Sequence, residues 1–209
     1  MSHYPSIKVW DILIRIFHWS LVISFAVAYI SSEEENPVHI YSGYTVLGLI
    51  VFRVIWGFVG SKYAKFSDFI RSPKVVYSYV QQNIAGNPQH YIGHNPVGGW
   101  MVLAMIIVLF VVTLSGLKVY AIEEGKGLLA VSTVNLSPVP LAIAEEEDDD
   151  DDKKNTNEAD EEFWEEIHEV SSNLMLLMIV LHIIGVVVSS RKHKENLVKA
   201  MLTGYKDQK

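Results

Sequence analysis

Cysteine is absent from the chain. Its absence excludes disulfides, cysteinyl iron–sulfur clusters, thiolate zinc sites and the Cys-x-x-Cys-His attachment of c-type haem. Any redox centre must therefore be held by His, Met, Tyr or carboxylates. A cleavable leader pattern is missing too. The first apolar run contains Arg15 and His18 and lacks an Ala-x-Ala-like site, so it reads as a retained membrane helix. Carboxylates are missing from the interiors of the long apolar runs, and Lys and Arg are missing from the Glu33-Glu34-Glu35 connection.

What is present is segregated. Half of the 209 residues are hydrophobic, and the mean hydropathy of +0.22 averages long apolar runs with strongly charged stretches. The formal charge of −7 is likewise an average. Acid is concentrated from Glu145 to Glu169, whereas bases gather around 62–74 and 191–206. That distribution fits neither a soluble acidic enzyme nor a nucleic-acid binder.

A bilayer core of about 30 Å needs roughly 20 apolar residues as helix. Four segments reach that length, at about 12–31, 38–59, 97–122 and 167–189. Trp10, Trp19, Tyr41, Trp56, Trp100 and Trp164 lie near their ends, as interfacial aromatics do. The predicted fold is an all-α, four-helix membrane bundle forming a single domain over 1–209. A fifth apolar stretch, Gly127–Ala144, carries Pro138 and Pro140 and reads as a loop against the bundle or the membrane surface.

Charge asymmetry supports the count. Lys8 and Arg15, the 62–74 loop with Lys62, Lys65, Arg71 and Lys74, and the tail from Arg191 onward all carry positive charge. By the positive-inside tendency both termini and the middle loop face the cytoplasm, which only an even number of spans allows. The acidic loop at 145–162 then faces the periplasm of a bacterial inner membrane. So dense a run of like charge has nothing to bury and is expected to be disordered. Its oxygens lack the spacing of a calcium loop.

Eight histidines are present. Strongly coordinating groups inside a membrane are costly and usually mark function. His18 lies in the first half of span one, His39 opens span two, His168 opens span four and His182 lies well inside it. Fourteen residues separate the last two, close to four helical turns, so they share a face about 21 Å apart along the axis. The topology matches His18 with His182 at one depth and His39 with His168 at the other. Two imidazole pairs at two depths are what two bis-histidine haems require. An interfacial anchor would account for His39 or His168 singly but not for the depth matching. A proton relay would call for carboxylates inside the spans, and zinc for ligands converging at one depth. Arg15 and Arg53 stand near the cytoplasmic surface, where they could pair with haem propionates or simply snorkel.

The Ile-Phe-His-Trp of span one resembles bacterial cytochrome b561, as do Arg-Val-Ile-Trp-Gly-Phe-Val-Gly-Ser closing span two and His-Tyr-Ile-Gly-His-Asn-Pro-Val-Gly-Gly at 90–99. The closing Glu-Asn-Leu-Val-Lys-Ala-Met-Leu-Thr-Gly at 195–204 is similar too. That family includes the b-type cytochrome subunit of nickel–iron hydrogenases, and the likeness covers most of the chain outside about 123–160. It implies two b haems on His18, His39, His168 and His182, and electron transfer between quinone and a redox partner such as a hydrogenase or c-type cytochrome. It also implies that His94 lies by the cytoplasmic haem edge or a quinone pocket. The alternative is that Asn95-Pro96 merely starts span three and leaves His90 and His94 in a surface turn. No general acid–base or nucleophilic constellation occurs within the spans, so enzyme status turns on whether quinone chemistry occurs on this chain. The rival classes are a non-redox anchor recruiting a partner through the acidic loop, and a proton or metal-ion transporter.

Overall fold

The computed structural model describes residues 6–32, 36–130 and 150–207. In chain order its elements are strand β1 (Ser6–Lys8), helices α1 (Ile12–Ile30) and α2 (Pro37–Val59), a 3-10 turn at Lys62–Ala64, and α3 (Phe66–Phe69). Then follow α4 (Pro73–Ile84), α5 (Pro96–Glu123), α6 (Asp150–His193), α7 (Leu197–Thr203) and strand β2 (Tyr205–Asp207).

Short polar side chains start the helices by taking up free backbone N–H groups. Asp11 accepts from Ile14 and Asn36 from Val38, each at 2.9 Å, Asn95 from Gly98 at 2.7 Å and Asn196 from Lys199 at 2.8 Å. Proline follows the cap in α2 and α5, where its missing N–H costs nothing and its φ is preset. The two Asn-Pro pairs thus fix where the chain enters the second and third spans.

α1, α2, α5 and the Ala159–His193 part of α6 are long and apolar enough to cross a membrane. They coincide with the four predicted spans. α5 runs along α6, α1 along α2, and α2 closes against α5. Val46, Ile50, Leu109 and Met175 make the buried centre. In water such a side chain would contribute about 1.5–3 kcal/mol on burial. In lipid the competing environment is itself apolar, so close fit rather than dehydration holds these helices together. Outward residues such as Ile23 and Val59 remain exposed and form the lipid-facing surface.

At one end the chain closes on itself. β1 and β2 pair antiparallel, with Ser6 opposite Asp207 and Lys8 opposite Tyr205. Gly204, at φ +89°, gives its carbonyl to the N–H groups of Val9 and Trp10 at 2.8 and 3.1 Å. A Cβ there would sit 2.7 Å from the Trp10 carbonyl oxygen, so glycine is required twice over. Val9, Trp10, Ile14, Ala64 and Ala200 pack beneath this ladder. Asp11 ties the cluster to α2, accepting from the Trp56 indole at 3.2 Å and from the Ser61 hydroxyl. Burial pushes the Asp11 carboxyl up, but hydrogen bonds from Ser61, Ile14, Trp56 and Leu13 outweigh it and hold the pKa below its ordinary value.

Trp10 is 6 % exposed and packs its ring against that of His94, 4.7 Å away and tilted by 59°. Helix α6 begins at Asp150, within the acidic stretch 145–162. Residues 145–149, and 131–144 of the loop at 127–144, lie outside the described residues.

Candidate functional site

The end of the bundle away from the ladder brings together two of the expected histidines. His39 stands in the first turn of α2, and its Nδ1 lies 2.8 Å from the carbonyl oxygen of Ala28. Ala28 belongs to the last turn of α1, where carbonyls have no partner further along the helix. His168, on α6, places Nδ1 2.9 Å from the Val112 carbonyl oxygen of α5, with the Ser115 hydroxyl at 3.2 Å. Gly116 makes that approach possible. A Cβ at this position would meet the His168 ring at 2.8 Å. A carbonyl only accepts, so both Nδ1 atoms carry a proton, which leaves Nε2 as the nitrogen of each ring that could coordinate a metal.

The two rings lie 6.0 Å apart at 83°. Two metal–imidazole bonds of about 2 Å each, with the offset of each nitrogen from its ring centre, come to about that length. Gly43, one turn beyond His39 on the same face, has nothing within 4 Å of where a Cβ would stand. Rings held by Nδ1 on backbone carbonyls, Nε2 left to coordinate and open space on one face fit a bis-histidine metal centre.

The ladder end is built differently. His18 on α1 and His182 on α6 lie within electrostatic reach of each other. Arg53 is 3 % exposed; it donates to the Ala64 carbonyl at 3.1 Å and lies 5.0 and 5.6 Å from the ring centres of Phe66 and Phe69. Arg15 donates to the Thr203 carbonyl at 3.0 Å. His94 is wedged between Trp10 and Phe69, at ring distances of 4.7 and 4.8 Å. Burial pushes its pKa down to about 3, and the charges of Arg53, Lys206 and His182 push the same way, so the ring is neutral. His94 thus faces the bundle rather than forming part of a surface turn.

Among the described residues, buried side-chain nitrogens without a partner are Arg15 Nε, His18 Nδ1, Trp19 Nε1, Arg53 NH1 and His94 Nδ1. All belong to the ladder half. Native proteins leave few such groups, and a cluster of them marks a place where a polar ligand belongs. Three are N–H donors suited to carboxylates, from Arg15, Trp19 and Arg53, and His18 and His94 bring imidazoles beside them. That combination fits a haem edge with its propionates.

Several features escaped the sequence. The seat of His168 on Gly116 and Ser115, the Asp11 junction and the exposed face of α4 depend on contacts between distant residues. A glycine within a span was visible, but its partner was not.

Four apolar helices with inward imidazoles, and no cysteine to attach a porphyrin covalently, define a membrane cytochrome of the b type. A family model described as prokaryotic cytochrome b561 matches residues 9–204, and the chain belongs to that family. It is a multi-pass prokaryotic membrane protein that binds b-type haem and transfers electrons. Comparison with curated proteins and with solved structures finds no match.

Proposed function

We propose that the chain holds two b haems, one near each membrane surface, and carries electrons across the inner membrane between the quinone pool and a redox partner. The observation that carries this reading is the His39–His168 pair, whose ring centres lie 6.0 Å apart at 83° with both Nδ1 atoms engaged on carbonyls. His18 and His182 are the second ligand pair, at the ladder end. Positive charge at Lys8, Lys62, Lys65, Arg71, Lys74 and from Arg191 onward supports a cytoplasmic position for that end.

Bound haem iron supplies one-electron redox chemistry at potentials set by its ligands and surroundings. The residues supply everything else. The Nδ1–H bonds of His39 and His168 fix each ring and make its Nε2 a stronger donor. Arg15 and Arg53 receive propionate carboxylates with N–H groups that now lack partners. The apolar lining keeps water away, and neutral His94 offers a buried imidazole as a hydrogen-bond partner where quinone would exchange electrons. Activity as a quinone oxidoreductase rests on that last step. The partner at the opposite surface is a hydrogenase or a c-type cytochrome, in keeping with a family label that also names nickel hydrogenase cytochrome b. A pyridine haemochrome assay on purified protein should count two haems per chain. A count of one would sink the two-site reading.

A further inference from the structure

Helix α4 lies outside the four spans yet presents an apolar stripe. Tyr77 and Ile84 are 67 and 83 % exposed, and Val80 lies between them on the same face. The stripe is not the by-product of a loose helix. On the other face Tyr79 is buried, its ring 5.7 Å from that of Tyr91. Both ends are pinned as well: the Trp100 indole donates to the Arg71 carbonyl at 2.9 Å, and the Lys192 ammonium donates to the Asn83 backbone and side-chain oxygens, each at 2.9 Å.

Between α4 and the first turn of α5 runs a groove of about 390 Å³ lined by Pro73, Val76, Tyr77, Val80 and Trp100. Trp100 opens a membrane span, which sets the groove at the depth of the lipid headgroups. Exposed Arg71 and Lys74 stand two residues before and one after Pro73 in the chain, Lys74 on the side of α4 that bears Ser78 and Gln82. An apolar groove beside a span, with two cations next to its Pro73 end in the chain, has the complement of an amphiphile carrying a phosphate.

We propose that this groove seats an acyl chain of an anionic phospholipid whose phosphate is held by Arg71 and Lys74. Tyr77, Val80 and Trp100 line the chain, and α4 rests along the membrane surface as an interfacial helix. The residues involved are separate from the histidines and from Arg15 and Arg53.

The test is native mass spectrometry of the whole haem-loaded chain, released from detergent after equilibration with phosphatidylglycerol or phosphatidylcholine of identical chains. Each basic residue near a membrane surface is worth about fivefold. The unaltered protein should therefore retain phosphatidylglycerol more than tenfold better, and that preference should weaken as salt rises. Arg71→Gln with Lys74→Gln should bring the two lipids to parity. Tyr77→Ser with Val80→Ser should lower retention of both alike. The haem spectrum should stay unchanged throughout, and salt dependence in the unaltered protein still decides if a variant fails to fold. Equal retention of the two lipids would overturn the proposal. So would a dimer that Tyr77→Ser converts to monomer, which would assign the stripe to a second copy. Displacement of the lipid by a long-tailed quinone, indifferent to Arg71 and Lys74, would overturn it too.

Discussion

At the far end of the bundle, His39 and His168 each rest Nδ1 on a backbone carbonyl, whereas at the ladder end Nδ1 of His18 and of His94 is buried with no partner. The far end orients its rings on backbone carbonyls, with the Ser115 hydroxyl beside one of them. One carbonyl comes from a helix that has just ended, and the other is uncovered by a glycine. The ladder end instead gathers charge and aromatic rings around buried nitrogens that no other side chain or backbone group satisfies. The first pair is therefore oriented by the fold itself, and on the proposed reading the second is completed by its ligand.

That contrast can be broken at several points. His168→Ala should remove one haem and leave the other, so that the haemochrome count falls by about half while the His18–His182 centre persists. Retention of both haems would end the pairing. Gly116→Val forces a methyl-bearing carbon into the His168 ring, and overpacking of this kind typically costs about 1–3 kcal/mol. It should lower the thermal midpoint and deplete the far-end haem selectively. Asp11→Ala removes a cap and leaves Trp56 and Ser61 without their acceptor, a loss of about 2 kcal/mol read by thermal unfolding in detergent. That loss should leave haem content at the far end untouched. Ser115→Ala removes one hydroxyl beside His168 while the Val112 carbonyl stays, so about 1 kcal/mol and a small spectral shift are expected.

The smallest effect is one of pH. His94 has a folded-state pKa near 3, below its unfolded value of about 6.5, so the unfolded chain binds more protons between the two. Its contribution to stability is complete above about pH 6.5 and drains away as pH falls towards 3. From pH 7.5 to 6 the change stays below about 1 kcal/mol. His94→Gln should flatten that slope in unfolding experiments run at several pH values.

The span count and the depth of each histidine were legible because length, charge and helical spacing are local properties. The structure sets His39 beside His168 and brings His18 within reach of His182, as that reading expected. What stayed hidden was partnership. Nothing in the spacing reveals that Val112 turns a carbonyl towards His168, or that Trp10 folds inward onto His94. The apolar stripe of α4 was overlooked because its twelve residues are too few to announce themselves beside spans twice as long.

The bond from His39 to the Ala28 carbonyl couples architecture to voltage. The more firmly that carbonyl pulls on Nδ1–H, the more electron density the ring donates through Nε2, and the lower the potential of a metal bound there. The length of α1 decides which carbonyl is left over at its end. On the ligation proposed above, trimming or extending that last turn would retune a redox centre while touching no ligand at all.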